Sequence, residues 1–245
     1  MIDRIAPTIR PNERPVMYQN WSKLLFIHWV IPVEVLRPLI PPSLEIDTFD
    51  GQAYIGLVPF TMTGIRPKGL PSFPPISDFH EVNVRTYVHY QGQNPGVWFF
   101  SLDAANLLAV KIARGWFHLP YNHAKMSLSQ SGNEIDYRSE RLPDRRANCK
   151  IKYRIEATPA PAKPDTLDHF LVERYILYTE NRGRLVSGQV NHTAYPAQGA
   201  TLLEFEESLI AANGIARPDA PPETVHYAEG VKVEIFGLKD VAAAR

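Results

Sequence analysis

In the segment HEVNVRTYVHY, every second residue belongs to one chemical set. Glu81, Asn83, Arg85, Tyr87 and His89 fall on one side, and Val82, Val84, Thr86, Val88 and Tyr90 on the other. A period of two predicts a β-strand with one polar and one apolar face. SKLLFIHWVI predicts a buried strand, and PVEVLRPLI a short helix with Pro32 near its first turn, ended by Pro38 and the pair Pro41-Pro42. LEIDTFDGQAYIGLVPFTMTGI predicts a hairpin: a strand, a turn at Asp50-Gly51 and a second strand. RPKGLPSFPP holds too many prolines and glycines to pair, so a loop is expected there, with Phe73 free to close over something. VWFFSLD follows as a strand. AANLLAVKIARGW has helical spacing at Leu107, Leu108, Lys111 and Ile112, with Asp103 as the expected N-cap. Strands are predicted over 121–130, 133–140 and 149–156. TLDHFLVERYILY should start as a helix and pass into a strand, RLVSGQVNHTAY is a further strand, LLEFEESLIAA a helix, and GVKVEIFGL the closing strand. Residues 1–20, polar and proline-rich, are expected to form an extended arm.

Long strands, short helices and the absence of an internal repeat predict a mainly β fold of α+β class, closed or nearly closed into a barrel. A length of 245 residues admits one large domain or two small ones. The expectation is one domain over 1–245. The 22 prolines agree with a β-rich chain, because proline is poorly tolerated inside helices and punctuates strands and loops.

Charge and motifs narrow the function by exclusion. Lys plus Arg equals Asp plus Glu at 26 each, so no net field attracts nucleic acid. The densest basic run, RLPDRRANCKIKYR, is interrupted by Asp144 and interleaved with strand residues, as a solvated face would be. Cys149 is the single cysteine, which fits a reducing compartment, and no cysteine and histidine set has zinc spacing. The N-terminus has no apolar core of a signal peptide, and LLFIHWVIPVEVL is broken by His28, Pro32 and Glu34; a cytoplasmic protein outside the membrane is expected. NWS and NHT match the glycosylation sequon, but without a secretory signal they carry no weight. Serine-hydrolase, zincin, dinucleotide and Walker motifs do not occur, and the five-residue spacing of His118 and His123 does not make a metal pair. No metal and no cofactor are expected.

Five ordered segments carry a family resemblance: HWVIPVEVLRPLIPPSLEIDTFDGQAYIGLVPF, FHEVNVRTYV, VWFFSLDA, the ARGWFHLPYNHAKM stretch and DHFLVERYILY. Together they resemble the YqjF-like family of unknown function within the acetoacetate decarboxylase-like superfamily. The resemblance implies a β-barrel with an internal cavity. In the decarboxylases, a strand lysine forms a Schiff base with a β-keto acid, and a second lysine beside it lowers its pKa. Laid on this sequence, the pattern matches Arg114 and Pro120, but the reactive lysine falls on Tyr121 and its neighbour on Asn122. The pocket carboxylate falls on Glu81. A first-strand arginine falls near Ser22 and a second carboxylate near Tyr54 to Gly56, so neither is clearly kept. Lys125 shares a strand face with Tyr121 but lies about 13 Å away at roughly 3.3 Å per residue, too far to replace the amine. Lys111, in the expected helix, is better explained as a surface group with a snorkelling stem.

The resemblance and the polar strand face implicate Glu81 as acid or base and Tyr121 as hydrogen-bond donor to a carbonyl or enolate. Arg85, Tyr87, Arg114, Asn122 and Arg174 are candidate substrate-binding residues, Arg174 because an arginine beside aromatics can clamp a carboxylate. Each also has a structural alternative: a polar face that meets water, an Arg174 paired with an acid such as Glu81 or Glu173, and a Tyr121 that fills the space a lysine needs open. Two functions remain. One is an enzyme of lyase or hydrolase type on small organic acids without a Schiff base; the other is a non-catalytic ligand-binding or scaffold barrel. The partner in either case is a small molecule such as an organic acid, and homo-oligomerisation is left open.

Overall fold

Proline and glycine cut the chain into long strands and short helices in the computed structural model, which describes residues 2–143, 145–156 and 158–241. β1 (Met17–Ile31) ends at Pro32, the N-cap of α1 (Val33–Leu36). Beyond the helix, the Arg37 guanidinium donates to the carbonyls of Ile40, Pro41 and Leu44 and fixes the proline-rich corner. β2 (Glu45–Ile46), β3 (Ala53–Pro67), α2 (Pro74–Ser77), β4 (Phe79–Tyr90) and β5 (Gln93–Ala104) follow. After α3 (Leu107–Trp116) come β6 (Tyr121–Ser131), β7 (Glu134–Arg141) and β8 (Asn148–Ile155). The chain finishes through α4 (Leu167–Val172), β9 (Ile176–Asn181), β10 (Arg184–Asn191), β11 (Ala197–Glu207), β12 (Thr224–Ile235) and β13 (Lys239–Asp240).

Four expectations are corrected. The tight turn at Asp50-Gly51 forms, with both residues at positive φ and Phe49 bridged to Gln52. β2, however, pairs with β4 instead of folding back on β3. The N-cap of α3 is Asn106, whose side chain accepts from the amides of Leu108 and Ala109; Asp103 belongs to β5 and binds Arg141. Of the helix expected at LLEFEESLIAA, residues 202–207 belong to β11, and only the 3-10 turn Ala211–Asn213 at its far end is helical. A register shift between Leu202 and Glu204 inserts an extra residue, so Leu202 and Phe205 reach the same core although they stand three apart. A bulge thereby imitates helical spacing. The N-terminal arm is a partial exception to an extended chain, because Ala6–Thr8 form one 3-10 turn and β1 begins at Met17.

The described strands form one 13-stranded sheet that closes on itself twice. One circuit runs β5-β6-β7-β8-β11-β12-β1-β3-β4 and back to β5; the other runs β5-β9-β10-β12-β1-β3-β4 and back to β5. The strands β5, β4, β3, β1 and β12 are common to both, and of these β4 is buried along both of its faces. On one side Val82 and Val84 pack with Leu25, Ile27, Trp29, Ile135, Tyr137 and Ile151. The apolar face of β4 is thus covered by a second layer of strands and not by helices. Its polar face, carrying Glu81, Asn83 and Arg85, looks into the other circuit. No helix among the described residues is long and apolar enough to cross a membrane.

Candidate functional site

Inside the second circuit lies a cavity of about 420 Å³. Apolar side chains of β1, β3, β10 and β12 make most of its wall, including Leu24, Val58, Phe60, Val190 and Ile235. Its polar stripe is the alternating set of β4, Glu81, Asn83 and Arg85, joined by Tyr121 of β6 and by Tyr195. The strand period that predicted a polar face therefore delivers that face to a cavity and not to solvent.

Glu81 is 2% exposed. Tyr121 donates its phenol to Glu81 Oε2 at 2.7 Å, and the Asn83 side chain adds a further hydrogen bond. Burial nonetheless dominates and pushes the Glu81 pKa up to about 8, with the nearby Asp103 adding to the rise. At neutral pH the carboxyl is mostly protonated. The Tyr121 phenol is moved well above its ordinary range by burial first and then by Glu81. The pair is suited to holding and donating protons, whereas a phenolate nucleophile is disfavoured. An open cavity and a raised Glu81 pKa both favour the enzyme reading; the occupied Tyr121–Glu81 bond is the feature that favours a resting, non-catalytic barrel.

Deeper in the cavity, Arg85 Nη2 donates to the Leu171 carbonyl at 3.1 Å, and the guanidinium lies over the rings of Phe26 and Tyr87. Its Nε is buried without a hydrogen-bond partner, as is Oδ1 of Asn83. Among the described residues, no carboxylate forms an ion pair with Arg85. The adjacent His28, buried against Arg85, has its pKa driven well below the usual histidine value by burial first and by the guanidinium second. The imidazole therefore adds no second positive charge beside Arg85. Gly56 makes this arrangement feasible, because a Cβ there would stand 3.0 Å from the His28 ring.

The other sequence candidates do not reach the cavity wall. Tyr87 lies behind it, donating to the Leu171 carbonyl at 2.7 Å and meeting His28 Nε2 at 2.6 Å. Arg174 is paired with Asp47 at 2.8 Å and binds the Phe170 carbonyl; Arg4 holds the other oxygen of Asp47. Arg174 is therefore a buried structural partner, but of Asp47 and neither of the two glutamates expected. Arg114 uses its Nε on the Tyr121 carbonyl, outside the cavity. Asn122, one residue from Tyr121, must point to the opposite side of β6, where it donates to Asp103. Both line a separate polar cleft beyond Tyr121. Lysine is absent from the cavity lining, and Lys125 is exposed on β6. The residues that sequence reasoning passed over are Asn83, which the alternation had already placed beside Glu81, and Tyr195, for which no local signal existed.

This closed sheet around a polar-striped cavity defines the acetoacetate decarboxylase-like class of folds. The enduracididine biosynthesis enzyme MppR complexed with pyruvate matches with a TM-score of 0.62 over 94% of this chain and 91% of its own, at 12% identity. Acetoacetate decarboxylase from Legionella pneumophila subsp. pneumophila str. Philadelphia 1 gives a TM-score of 0.62 over 95% and 93%, at 13% identity. Likeness at such identity is one of fold. The chain itself belongs to the family DUF2071, described as "Uncharacterized conserved protein (COG2071)", whose model matches residues 18–232. It is 42% identical over 224 residues to the "Uncharacterized protein YqjF" of Bacillus subtilis (strain 168), covering 91% of this chain and 92% of that one.

Proposed function

We propose that the cavity binds a small organic acid, with its carboxylate on Arg85 and another oxygen on the Glu81–Tyr121 pair. The observation that carries this reading is Arg85: a buried guanidinium facing a cavity, with an unsatisfied Nε and no ion-pair partner among the described residues. A buried cation without a counter-ion is costly, and an anionic ligand removes that cost. The pyruvate bound to the structurally similar MppR supports a carboxylate ligand for this type of barrel. Protonated Glu81 supports the reading as well, since it donates to a carbonyl oxygen where an ionised carboxylate would repel an acid.

The chemistry open to this set is proton transfer. With the carboxylate anchored, Tyr121 hydrogen-bonds a carbonyl oxygen and the Glu81 carboxyl delivers its proton to that oxygen; the Glu81 carboxylate then takes the proton from the α-carbon, so keto and enol forms interconvert without covalent attachment and Glu81 returns to its starting state. A Schiff base has no amine available on the cavity wall. Binding without turnover is the second reading, favoured by the Tyr121–Glu81 hydrogen bond already closed at 2.7 Å.

Calorimetric titration with a panel of monocarboxylates tests the proposal. Arg85→Gln should weaken binding at least about thirtyfold, because truncating a buried charge partner costs roughly 2–5 kcal/mol. The variant should keep or gain thermal stability, since it loses an unpaired charge. Unchanged affinity in the folded variant would remove Arg85 from the site and the proposal with it.

A further inference from the structure

We infer that the acid accepted by this cavity is a monocarboxylate with an extended hydrocarbon or aromatic body, and not a short keto acid. The inference rests on the organic-acid reading for the head of the molecule and adds the nature of the rest. The polar stripe occupies only the β4 side. Facing it are Leu24, Val58, Phe60, Val190 and Ile235, with Met62 and Phe79 continuing the apolar surface. The two glutamines of the lining have their side-chain groups already bonded within the protein. Gln19 accepts from the Trp21 indole at 2.7 Å, and Gln189 donates to the Pro7 carbonyl at 3.0 Å. A cavity of about 420 Å³ also falls within the roughly 300–1,000 Å³ typical of pockets that enclose drug-sized ligands. A three- or four-carbon acid would leave most of the apolar wall facing water.

The mouth points the same way. Leu70 and Phe73, from the loop before α2, and Ile112 and Trp116, from α3, all line the cavity and all are exposed, Phe73 at 61%. The Asn106 side chain, donating to the Pro75 carbonyl at 2.8 Å, holds these two segments beside one another. An apolar collar around an apolar cavity suits a ligand whose body is itself apolar, since a hydrated short acid gains nothing from crossing it. Arg85 lies four residues further along β4 than Glu81, and the Glu81 end of the strand is the end nearer α2 and α3. A carboxylate on Arg85 therefore directs its chain past Asn83 and Glu81 towards the collar.

The test is calorimetric titration of the full chain with acetate, butyrate, octanoate, decanoate and pyruvate, with 1-octanol as the control for the head group. Each buried methylene should tighten binding by up to about fourfold, so octanoate should bind at least about tenfold more tightly than butyrate. Octanoate should also exceed 1-octanol. Ala113→Trp, which places bulk in the cavity from α3, should erase the gain from chain length and leave butyrate affinity unchanged. Pyruvate or butyrate binding as tightly as octanoate, with dependence on Arg85, would overturn this inference and leave the organic-acid reading standing. If 1-octanol matched octanoate while both exceeded butyrate, the apolar body would stand and the acid head would fall. Failure of every acid and of the alcohol to bind would overturn both.

Discussion

A protonated carboxyl can donate a hydrogen bond; an ionised one can only accept, and that difference gives Glu81 its place in the account. Its raised pKa has a consequence for stability. The folded state holds a proton that the unfolded chain releases at the ordinary carboxylate value of 4.5, whereas the folded group releases it at about 8. Stability from this group is therefore fully present below about 4.5 and is lost as pH rises towards 8. Glu81→Gln cannot titrate and nearly preserves the shape of the side chain. The variant should be no more stable than the parent at pH 5 and more stable at pH 8.5, the difference growing across that interval. Thermal melts of the two proteins at matched pH check this; parallel profiles would mean that Glu81 ionises normally. Asp103 and Glu173 are also raised by burial, so the slope of the parent alone is not diagnostic, and the difference between the two proteins is.

Among the elements, β4 matters most because neither of its faces meets solvent. The alternation in HEVNVRTYVHY separated Glu81, Asn83 and Arg85 from Val82 and Val84, and that separation is legible without any structure. What lies against each face is not, because it depends on β6 to β8 on one side and on β9 and β10 on the other. The same limit appears twice more. Leu202 and Phe205 look helical by spacing because a bulge in β11 adds one residue to the count. The partner of Arg174, Asp47, is 127 residues away in the chain, and no local pattern announces it. Adjacent Tyr121 and Asn122, both expected at the site, are parted by the strand period: one faces Glu81 and the other Asp103. Val84 is 1% exposed in the strand-on-strand core, so Val84→Asp should destabilise by at least about 3 kcal/mol through an unpaired buried charge. Leu203→Asp, on the exposed side of β11, should stay within about 0.5 kcal/mol of the parent. Chemical denaturation reads both values, and comparable effects would mean that the two circuits are wrongly drawn.

At the scale of the whole molecule, two closed circuits sharing a wall divide the work. The circuit through β6, β7, β8 and β11 is filled by its hydrophobic core, while the circuit through β9 and β10 keeps a cavity open beside the shared wall. A filled barrel supports a hollow one, and the shared strand β4 carries packing residues into the first and chemistry into the second. The barrel class and the carboxylate were legible from pattern and resemblance. The loss of the amine was legible too, but the guanidinium that faces the cavity on β4 stood only as one of several arginine candidates until the Arg174–Asp47 ion pair and the position of Arg114 outside the cavity set Arg85 apart. The central claim, a protonated carboxyl on the wall of an anion-accepting cavity, is tested most directly by carbon-13 NMR of the glutamate side-chain carboxyls, with Glu81 assigned by its absence in Glu81→Gln. The account predicts a titration midpoint near 8 in the free protein, moving higher when octanoate binds, because a bound anion further disfavours ionisation of Glu81. A midpoint between about 4 and 5, unmoved by octanoate, would contradict it.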